Sequence, residues 1–368
     1  MPDLLALKPE FSRYSWPLFS TLMLGLLLCK ARKTLSHLAS GHSIGALSRF
    51  FNQYPWSVER LRRYRQQQLS AAMVQRYCGQ RGRKPILYLI LDDTVVPKRG
   101  KCLAQVGRHF CSTLGKVVWG HCLVFSYLVA GQIEGPWAWK LYVNRRFCFA
   151  RTFQTKIQLA ISLIESFQRP FPGKVVVLVD GAYFCDPLIR AATRQGYQVV
   201  GTVKKNRLLE FAPALKQLKS GEVNFLSATP IPLRFAWVRR PRGRKCVACT
   251  DLDFQAPSIR RHFKRRWAIE TFFQTAKHQF GLGHYQMRSW TGIERWIELV
   301  LLAYTLATLH RQGQMRWDEA KGRALGNLTP LIEEIRQGLV TLVLVLLCHL
   351  QVLISFPDPK PAQNGVTM

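Results

Sequence analysis

Two apolar runs that each end in an aspartate constrain the fold of this chain more than any other feature. Residues 86–91 lead into Asp92 and Asp93, and residues 175–179 lead into Asp180. Runs of this length without polar alternation predict strands that are buried on both faces of a sheet. Sheets of this kind bind ligands beyond the carboxyl ends of their strands, which makes the aspartates candidate site residues. An aspartate that caps a following turn is the ordinary alternative.

The segments around these runs predict a mixed α/β core. Strand-like and helix-like patterns alternate along the chain, and their order is three strands, a helix, a strand, a helix and a strand. Beyond the strand at residues 86–91, these segments are 115–131, 133–143, 152–169, 175–179, 186–198 and 197–206. Residues 207–257 interrupt this order with short strands and turns rich in arginine.

The charge of the chain indicates an anionic partner. Lys and Arg number 53 against 21 Asp and Glu, a formal net charge of +32. Nucleic acid is the commonest partner of so basic a protein, and an acidic membrane surface is the other candidate. Residues 1–83 have helical apolar spacing and a basic second half, which predicts a helical DNA-binding domain. The alternative is that these helices only cover the next domain and that their basic face is exposed to water.

A third acid lies in a basic, aromatic stretch. Glu270 is the one carboxylate of residues 265–280. On a single helix, Phe263, Arg266 and Lys277 would lie within roughly 40° of Glu270, next to an apolar stripe. A surface pair of Arg266 with Glu270 would be worth only a few tenths of a kcal/mol. The other interpretation is that Glu270 joins the two strand-end aspartates in one site.

Taken in order, these motifs resemble the DDE transposases of bacterial insertion sequences. The spacing Phe263-x2-Arg266-x3-Glu270-x6-Lys277 is similar to the Tyr-x2-Arg-x3-Glu-x6-Lys signature of the insertion-sequence-four superfamily, with Phe263 in place of Tyr. The segments "DDT" at 92–94 and "VDGAYF" at 179–184 are similar to the first and second acid motifs of that family. The resemblance covers roughly residues 30–310.

The resemblance implies a catalytic triad and a metal site. Asp93, Asp180 and Glu270 would be the catalytic residues and would hold two Mg²⁺ ions, for which Mn²⁺ can substitute. Two such ions serve phosphodiester cleavage, and carboxylate oxygens are their natural ligands. Strand alternation cannot choose between Asp92 and Asp93, which point to opposite faces. Asp93 is selected because the family aligns the acid directly before Thr94.

The resemblance also implies the fold and the reaction. The fold would be a ribonuclease-H-like mixed sheet with helices on both faces, interrupted by the β-rich insertion. The reaction would be cut-and-paste transposition, with cleavage at the transposon ends and strand transfer into target DNA. The expected partners are terminal inverted repeats, target DNA and a second copy of the chain in a homodimer. No small-molecule substrate is expected, and the expected location is the bacterial cytoplasm, in association with the nucleoid.

Basic and aromatic residues near the three acids are the predicted DNA contacts. Lys and Arg would bind phosphates without reading sequence. Trp237 could stack on an unpaired base, although packing within the insertion is the alternative. The predicted set is Arg266, Lys277, Phe263, Lys98, Arg99, Lys101, Arg261, Lys264, Arg265 and Trp237.

The predicted domain organisation follows from these segments. It comprises a helical DNA-binding domain (1–83), the first part of the catalytic core (84–206), the β-rich insertion (207–257), the second part of the core (258–330) and a C-terminal helix with a tail (331–368). The apolar segment 338–356 is long enough to span a membrane, but a buried helix is the favoured interpretation, so no membrane association is expected.

Other functions remain open at this stage. A nuclease that cuts DNA without inserting it would have the same motifs, and an inactive or domesticated DNA-binding protein would keep the charge. The ten cysteines are scattered, and Cys246 and Cys249 lack a second ligand pair at zinc spacing. His121 has two interpretations, a core histidine or a group that supports the acids.

Overall fold

The computed structural model describes residues 4–78, 85–148, 152–210, 215–227, 229–241 and 243–310. The predicted C-terminal helix and the apolar segment 338–356 lie outside the described residues. Within them, no helix combines the length and the apolar character that a membrane crossing requires.

Helices form the N-terminal region, as its apolar spacing predicted. A short 3₁₀ helix, Leu4–Glu10, precedes four α-helices, of which the third and fourth are capped by the side chains of Ser43 and Ser57. The four helices are α1 (Ser15–Leu28), α2 (Leu35–Leu38), α3 (Ile44–Asn52) and α4 (Val58–Tyr77).

A mixed sheet follows, and the mixed α/β class predicted from sequence is confirmed. In the described residues the sheet has nine strands in the order β2-β3-β1-β5-β6-β9-β8-β7, with β4 also paired to β3. The strands are β1 (Leu87–Pro97), β2 (Gly107–Cys111), β3 (Lys116–Ala130), β4 (Ile133–Tyr142), β5 (Val175–Val179), β6 (Gln198–Thr202), β7 (Val223–Leu226), β8 (Thr229–Arg240) and β9 (Gly243–Cys249).

The centre of the sheet is parallel and its margins are antiparallel. Strands β1, β5 and β6 run parallel, and every other pairing of the described strands is antiparallel. Strand β2 is an addition that the sequence pattern did not predict. The predicted insertion is continuous with the sheet rather than separate from it, because β9 pairs directly with β6.

Helices cover both faces of the sheet. Helices α5 (Lys156–Glu165) and α6 (Asp186–Arg194) pack on the face that bears Leu89 and Leu91. The opposite face, which bears Tyr88 and Ile90, is covered by the N-terminal helices and by α7 (Ala256–Lys264), α8 (Trp267–His278) and α9 (Trp290–His310). The N-terminal helices therefore share one hydrophobic core with the sheet.

The stretch around Glu270 forms two helices rather than the single predicted helix. Between α7 and α8 the backbone amides of Arg265 and Arg266 bond three residues back, to His262 and Phe263, at 3.0 and 3.1 Å. Such tightened turns carry about 3.0 residues each, so the direction of the following helix changes. Phe263 therefore belongs to α7, and its buried ring lies 5.9 Å from the guanidinium of Arg266 and 5.7 Å from Nζ of Lys245.

Candidate active site

The parallel pairing of β1 with β5 brings two of the predicted acids to one place. The register ends with Leu91 opposite Val179, so the next residues of the two strands, Asp92 and Asp180, follow at the same level. Both line an open cleft of about 700 Å³, together with Glu270, Lys245 and Lys277. The sequence motifs that lie far apart along the chain thus meet in one cleft.

Asp92, and not Asp93, faces Glu270. Residues of β1 alternate between the two faces, and Asp92 follows Tyr88 and Ile90 on the face that α7 and α8 cover. Its carboxylate accepts a hydrogen bond from Nη1 of Arg266 at 3.1 Å. Asp93, which was selected as the first acid, also lines the cleft, but the alternation of the strand turns its side chain away from Arg266. The choice between the two aspartates stays a prediction.

Asp93 has its own partners on the α5 and α6 face. Its carboxylate accepts hydrogen bonds from Nζ of Lys156 at 2.6 Å, from the hydroxyl of Tyr183 at 2.7 Å and from Sγ of Cys122 at 3.3 Å. Burial raises the pKa of the Cys122 thiol, which keeps the thiol protonated as a donor. These three donors hold the carboxylate of Asp93 on the α5 and α6 side of β1, at the border of the cleft that it lines together with Asp92 and Glu270.

Asp180 is oriented by the turn that follows β5. Its Oδ1 accepts from the backbone amides of Ala182 at 2.8 Å and Tyr183 at 3.2 Å. The turn is anchored by Phe184, whose ring occupies the space that a side chain at Gly201 would need. The "DGAYF" motif therefore performs a structural task, which is to hold one carboxylate at the end of a buried strand.

Arg266 connects Asp92 to Glu270. Its side chain is buried, and its guanidinium donates to Asp92 through Nη1 and to Glu270 through Nη2. Charge-assisted bonds of this kind are shorter and stronger than neutral ones. The residue four positions before Glu270 is thus a buried bridge between two elements, and not half of a surface pair.

Two lysines add positive charge to the cleft. Burial and the charges of Arg266 and Arg240 lower the pKa of Lys245, while Asp180 and Glu270 oppose that shift. Lys277 donates from Nζ to the carbonyl oxygen of Val95 at 2.9 Å, and burial lowers its pKa. Lysines of this kind can neutralise a phosphate that enters the cleft.

Burial of Asp92 disfavours its ionised form. Burial and the charge of Asp180 raise the pKa of Asp92 from 3.8 to about 7, and Arg266 only partly offsets them. A carboxyl group in this setting is a weak acid unless a cation approaches it. The site therefore gains from any cation that binds Asp92 and Asp180 together.

Divalent metal ions fit the site by donor chemistry. The available donors are carboxylate oxygens, which hard cations such as Mg²⁺ and Mn²⁺ prefer. Among the described residues, however, no group of three or more His, Cys, Asp or Glu side chains is gathered as a set of metal ligands. Arg266 supplies the positive charge between Asp92 and Glu270 in this structure.

Some of the predicted DNA contacts are exposed to solvent, and others are hydrogen-bonded to the protein's own backbone. Lys98 donates to the carbonyl oxygens of Gly283 and Tyr285, each at 2.8 Å, and burial followed by the charge of Arg32 lowers its pKa to about 7. Trp237 is half-buried and donates from Nε1 to Leu218 at 2.7 Å. Their contacts favour structural roles, whereas the exposed members are Arg99, Lys101, Arg261, Lys264 and Arg265.

Some site residues escaped sequence reasoning. Lys156 and Tyr183 bind Asp93 from positions that carry no charge motif, and Trp267 is 57% exposed beside Arg266. His121 is a core histidine: Nε2 donates to Ala104 at 2.8 Å, and Nδ1 accepts from the Tyr285 hydroxyl at 2.7 Å. One sequence signal could have indicated Asp92. In both "LILD" (89–92) and "VLVD" (177–180), the aspartate directly follows the apolar run, so Asp92 and Asp180 occupy equivalent positions.

The architecture and the site are typical of one class of enzyme. Paired strand-end carboxylates beside buried cationic side chains are an arrangement that metal-dependent nucleases use. Residues 7–222 match the family model described as DDE superfamily endonuclease, and residues 154–306 match the one described as transposase DDE domain. The first match spans more than half of the chain, so the chain belongs to the DDE superfamily endonucleases. Neither match bears on the Tyr-Arg-Glu-Lys signature, which stays a prediction.

A curated protein and a solved structure illustrate what this chain is similar to. The "Probable transposase for insertion sequence element IS701" of Microchaete diplosiphon is 29% identical over 173 residues, or 46% of this chain and 43% of that protein. The chain thus matches less than half the length of this curated relative. In fold, the chain is similar to a piggyBac transposase solved by cryo-EM in a synaptic complex with hairpin DNA. The TM-score is 0.50 at 12% identity, and the similarity covers 89% of this chain and 72% of that one.

Proposed function

We propose that this protein is the transposase of a bacterial insertion sequence, which cleaves DNA at the ends of the element and joins them to target DNA. The observation that carries the proposal is the β1–β5 register, which puts Asp92 level with Asp180 on the face of the sheet where Arg266 contacts Glu270. The family match and the transposase names of its relatives support it.

In this proposal the sheet is a ribonuclease-H-like core. The parallel strands β1, β5 and β6, with β3 antiparallel to β1 and β4 antiparallel to β3, support that description. Asp92, Asp180 and Glu270 are the catalytic carboxylates, and they would hold divalent ions, Mg²⁺ or Mn²⁺. Such ions activate the attacking oxygen and stabilise the leaving oxygen of a phosphodiester.

The other side chains of the cleft act on the substrate. Arg266, Lys245 and Lys277 would balance the charge of the phosphate at the reacting position, because the buried Arg266 and the two half-buried lysines line the cleft with the carboxylates. The exposed cations Arg99, Lys101, Arg261, Lys264 and Arg265 would bind the duplex on either side. Trp267, which is 57% exposed and precedes Glu270 by three residues on α8, is a further aromatic candidate to stack on a base.

The partners in this proposal are double-stranded DNA and a second copy of the chain. The net charge of +32 supports DNA binding, and joining two ends requires two active sites in one complex. The helical N-terminal region is part of the same proposal as a DNA-binding element. Its basic residues Arg60 and Arg63 are exposed on α4.

One experiment tests the proposal directly. The full-length protein is incubated with Mg²⁺ and DNA that carries the inverted repeats flanking its coding region, and cleavage and joining are followed separately. We expect Asp92→Asn, Asp180→Asn and Glu270→Gln to lose cleavage by at least about a hundredfold, as removal of a principal electrostatic group does. The matched control is Asp93→Asn, which should retain far more activity.

The results separate the alternatives. Cleavage without joining would favour a nuclease, and DNA binding without cleavage would favour an inactive DNA-binding protein. Equal activity in wild type and in the three acid variants would refute the assignment of the site. Greater loss from Asp93→Asn than from Asp92→Asn would reverse the choice between the two aspartates.

A further inference from the structure

The β2–β3 hairpin carries an apolar patch that the fold does not use. Phe110 is 63% exposed, and Leu114 and Val117 are each 51% exposed. Phe110 lies directly opposite Val117 in the antiparallel register, and Leu114 lies in the turn between the strands. These three side chains, here called the hairpin patch, form one continuous feature at the end of the hairpin.

The inner face of the same hairpin is well packed. Along β2, His109 and Cys111 are buried while Arg108 and Phe110 are exposed. Cys111 packs with Val95 and Cys122 in a small apolar cluster. The hairpin is therefore anchored against β1 and β3 and presents its outer face in a defined direction. Apolar groups grouped at such a place indicate a binding surface rather than chance exposure.

The surroundings of the patch are basic and aromatic. Residues 98–119 include five Lys and Arg and no Asp or Glu. Trp119 is the register partner of Arg108, and the charged groups of Lys101 and Arg146 lie 6.0 and 5.8 Å from its ring. Cations interleaved with aromatic and apolar side chains suit a ligand with both phosphates and stacking faces, which is nucleic acid.

The position of the hairpin ties the patch to the three acids. Its turn, residues 111–114, lines the same cleft as Asp92, Asp180 and Glu270. Of the hairpin patch, Leu114 lines the cleft itself, and Phe110 precedes the turn that does. In the proposed complex, a DNA strand whose phosphate lies at these acids would run next to the turn. The nucleotides that reach the hairpin patch would be those next to the reacting bond.

We propose that the hairpin patch contacts bases of the DNA next to the cleaved bond and holds them out of their stack, while Arg108, exposed on the same face as Phe110, contacts a flanking phosphate. This inference rests on the proposed function and adds to it a surface that distorts the substrate. Separation of a base pair costs a few kcal/mol, and contact with apolar and aromatic side chains offsets part of that cost.

The test uses full-length protein and the same repeat-bearing DNA, with 2-aminopurine at single positions around the cleaved bond. The variants are Phe110→Ser and Leu114→Ser, both at exposed positions. The matched control is Val223→Ser on β7, at the opposite end of the strand order and 43% exposed. Measurements are made in the Asp92→Asn background, so that the DNA stays intact, and the affinity is measured at a fixed salt concentration.

We expect binding to increase 2-aminopurine fluorescence at one or two positions beside the bond. Phe110→Ser and Leu114→Ser should lose at least half of the increase, and their affinity for the intact duplex should fall roughly tenfold, as loss of a base contact does. Mismatched DNA, in which the bases are already separated, should restore their affinity. Val223→Ser should behave as wild type in each measurement.

Three outcomes would overturn the inference. If the two variants match the control while wild type cleaves the DNA, the hairpin patch has no such role and the proposed function stands. If they convert a dimer to monomers in light scattering and leave fluorescence unchanged, the patch is a contact between copies. If wild type neither binds nor cleaves this DNA, the proposed function fails and the inference fails with it.

Discussion

Asp92 and Asp93 are adjacent in sequence and differ in every contact. Asp92 lies with Arg266 and Asp180 on one face of the sheet, and Asp93 lies with Lys156 and Tyr183 on the other. The difference follows from strand alternation, which turns neighbouring side chains in opposite directions. Both carboxylates line the cleft, but a single residue step gives them different hydrogen-bond partners on the two faces of the sheet.

The raised pKa of Asp92 predicts how stability depends on pH. Its carboxyl titrates at about 7 in the folded protein and near 3.8 when unfolded, so between these values the folded state holds a proton that the unfolded chain releases. Stability should therefore fall as pH rises from about 4 to about 7, by at most roughly 1.4 kcal/mol per unit. In metal-free buffer, Asp92→Asn should raise the melting temperature at pH 8 and leave it unchanged below pH 4.

Mg²⁺ provides the complementary measurement. A divalent cation favours the ionised carboxylate and should raise the melting temperature of wild type more at pH 8 than at pH 5.5. Asp92→Asn should lose most of that increase. A Mg²⁺ response that is the same at both pH values, or the same in the variant, would contradict a metal role for Asp92.

At the scale of elements, Tyr183 connects the parts that carry the two aspartates of the cleft. Its backbone amide donates to Asp180 in the turn after β5, and its hydroxyl donates to Asp93 in β1. Lys156, at the start of α5, binds Asp93 as well. These bonds tie β1, α5 and the turn together, and they restrict the separation of Asp92 from Asp180.

This connection predicts a specific effect of Tyr183→Phe. Loss of the hydroxyl should cost about 1.5–3 kcal/mol of stability, as loss of a hydrogen bond to a charged group does, and should also raise the Mg²⁺ concentration needed for the thermal shift. The matched control is Tyr197→Phe, because Tyr197 is also buried and donates to Phe167 at 3.4 Å, away from the aspartates. A shift in Mg²⁺ dependence of equal size in both variants would contradict a positioning role for Tyr183.

At the scale of the whole molecule, a buried ionic network joins the N-terminal helices to the sheet. Arg65 of α4 and Glu298 of α9 are both fully buried and lie 3.3 Å apart. Glu298 also accepts from Arg62 at 2.8 Å and from the indole of Trp139 at 2.7 Å, and Arg65 donates to carbonyl oxygens of β4. Helices α4 and α9 and strand β4 therefore form one unit.

Removal of one buried charge should destabilise that unit strongly. Glu298→Gln leaves Arg65 without its counter-charge and should cost about 3–5 kcal/mol, measured as the loss of stability in urea unfolding. The matched control is Glu10→Gln, which breaks the pair of Glu10 with the exposed Arg60 and should cost less than about 1 kcal/mol. Similar small losses in both variants would indicate that water reaches the network.

Local sequence patterns predicted many of the helices, strands and candidate site residues of this protein. The apolar runs predicted β1 and β5, helical spacing predicted the N-terminal helices, and the acids, the basic clusters and the family resemblance followed from residue type and order. These features depend on periodicity and composition, which are properties of short segments. The family assignment, which residues 7–222 support, needed no coordinates.

Contacts across the fold account for the rest. The β1–β5 register puts Asp92 level with Asp180, and the helix that covers this face brings Arg266 to Asp92. Burial encloses the ring of Phe263, and two carbonyl oxygens accept from Lys98. The physical reason is that a local sequence pattern does not determine which group a side chain contacts. That partner depends on which strand lies alongside, which helix covers the face and which groups burial brings together.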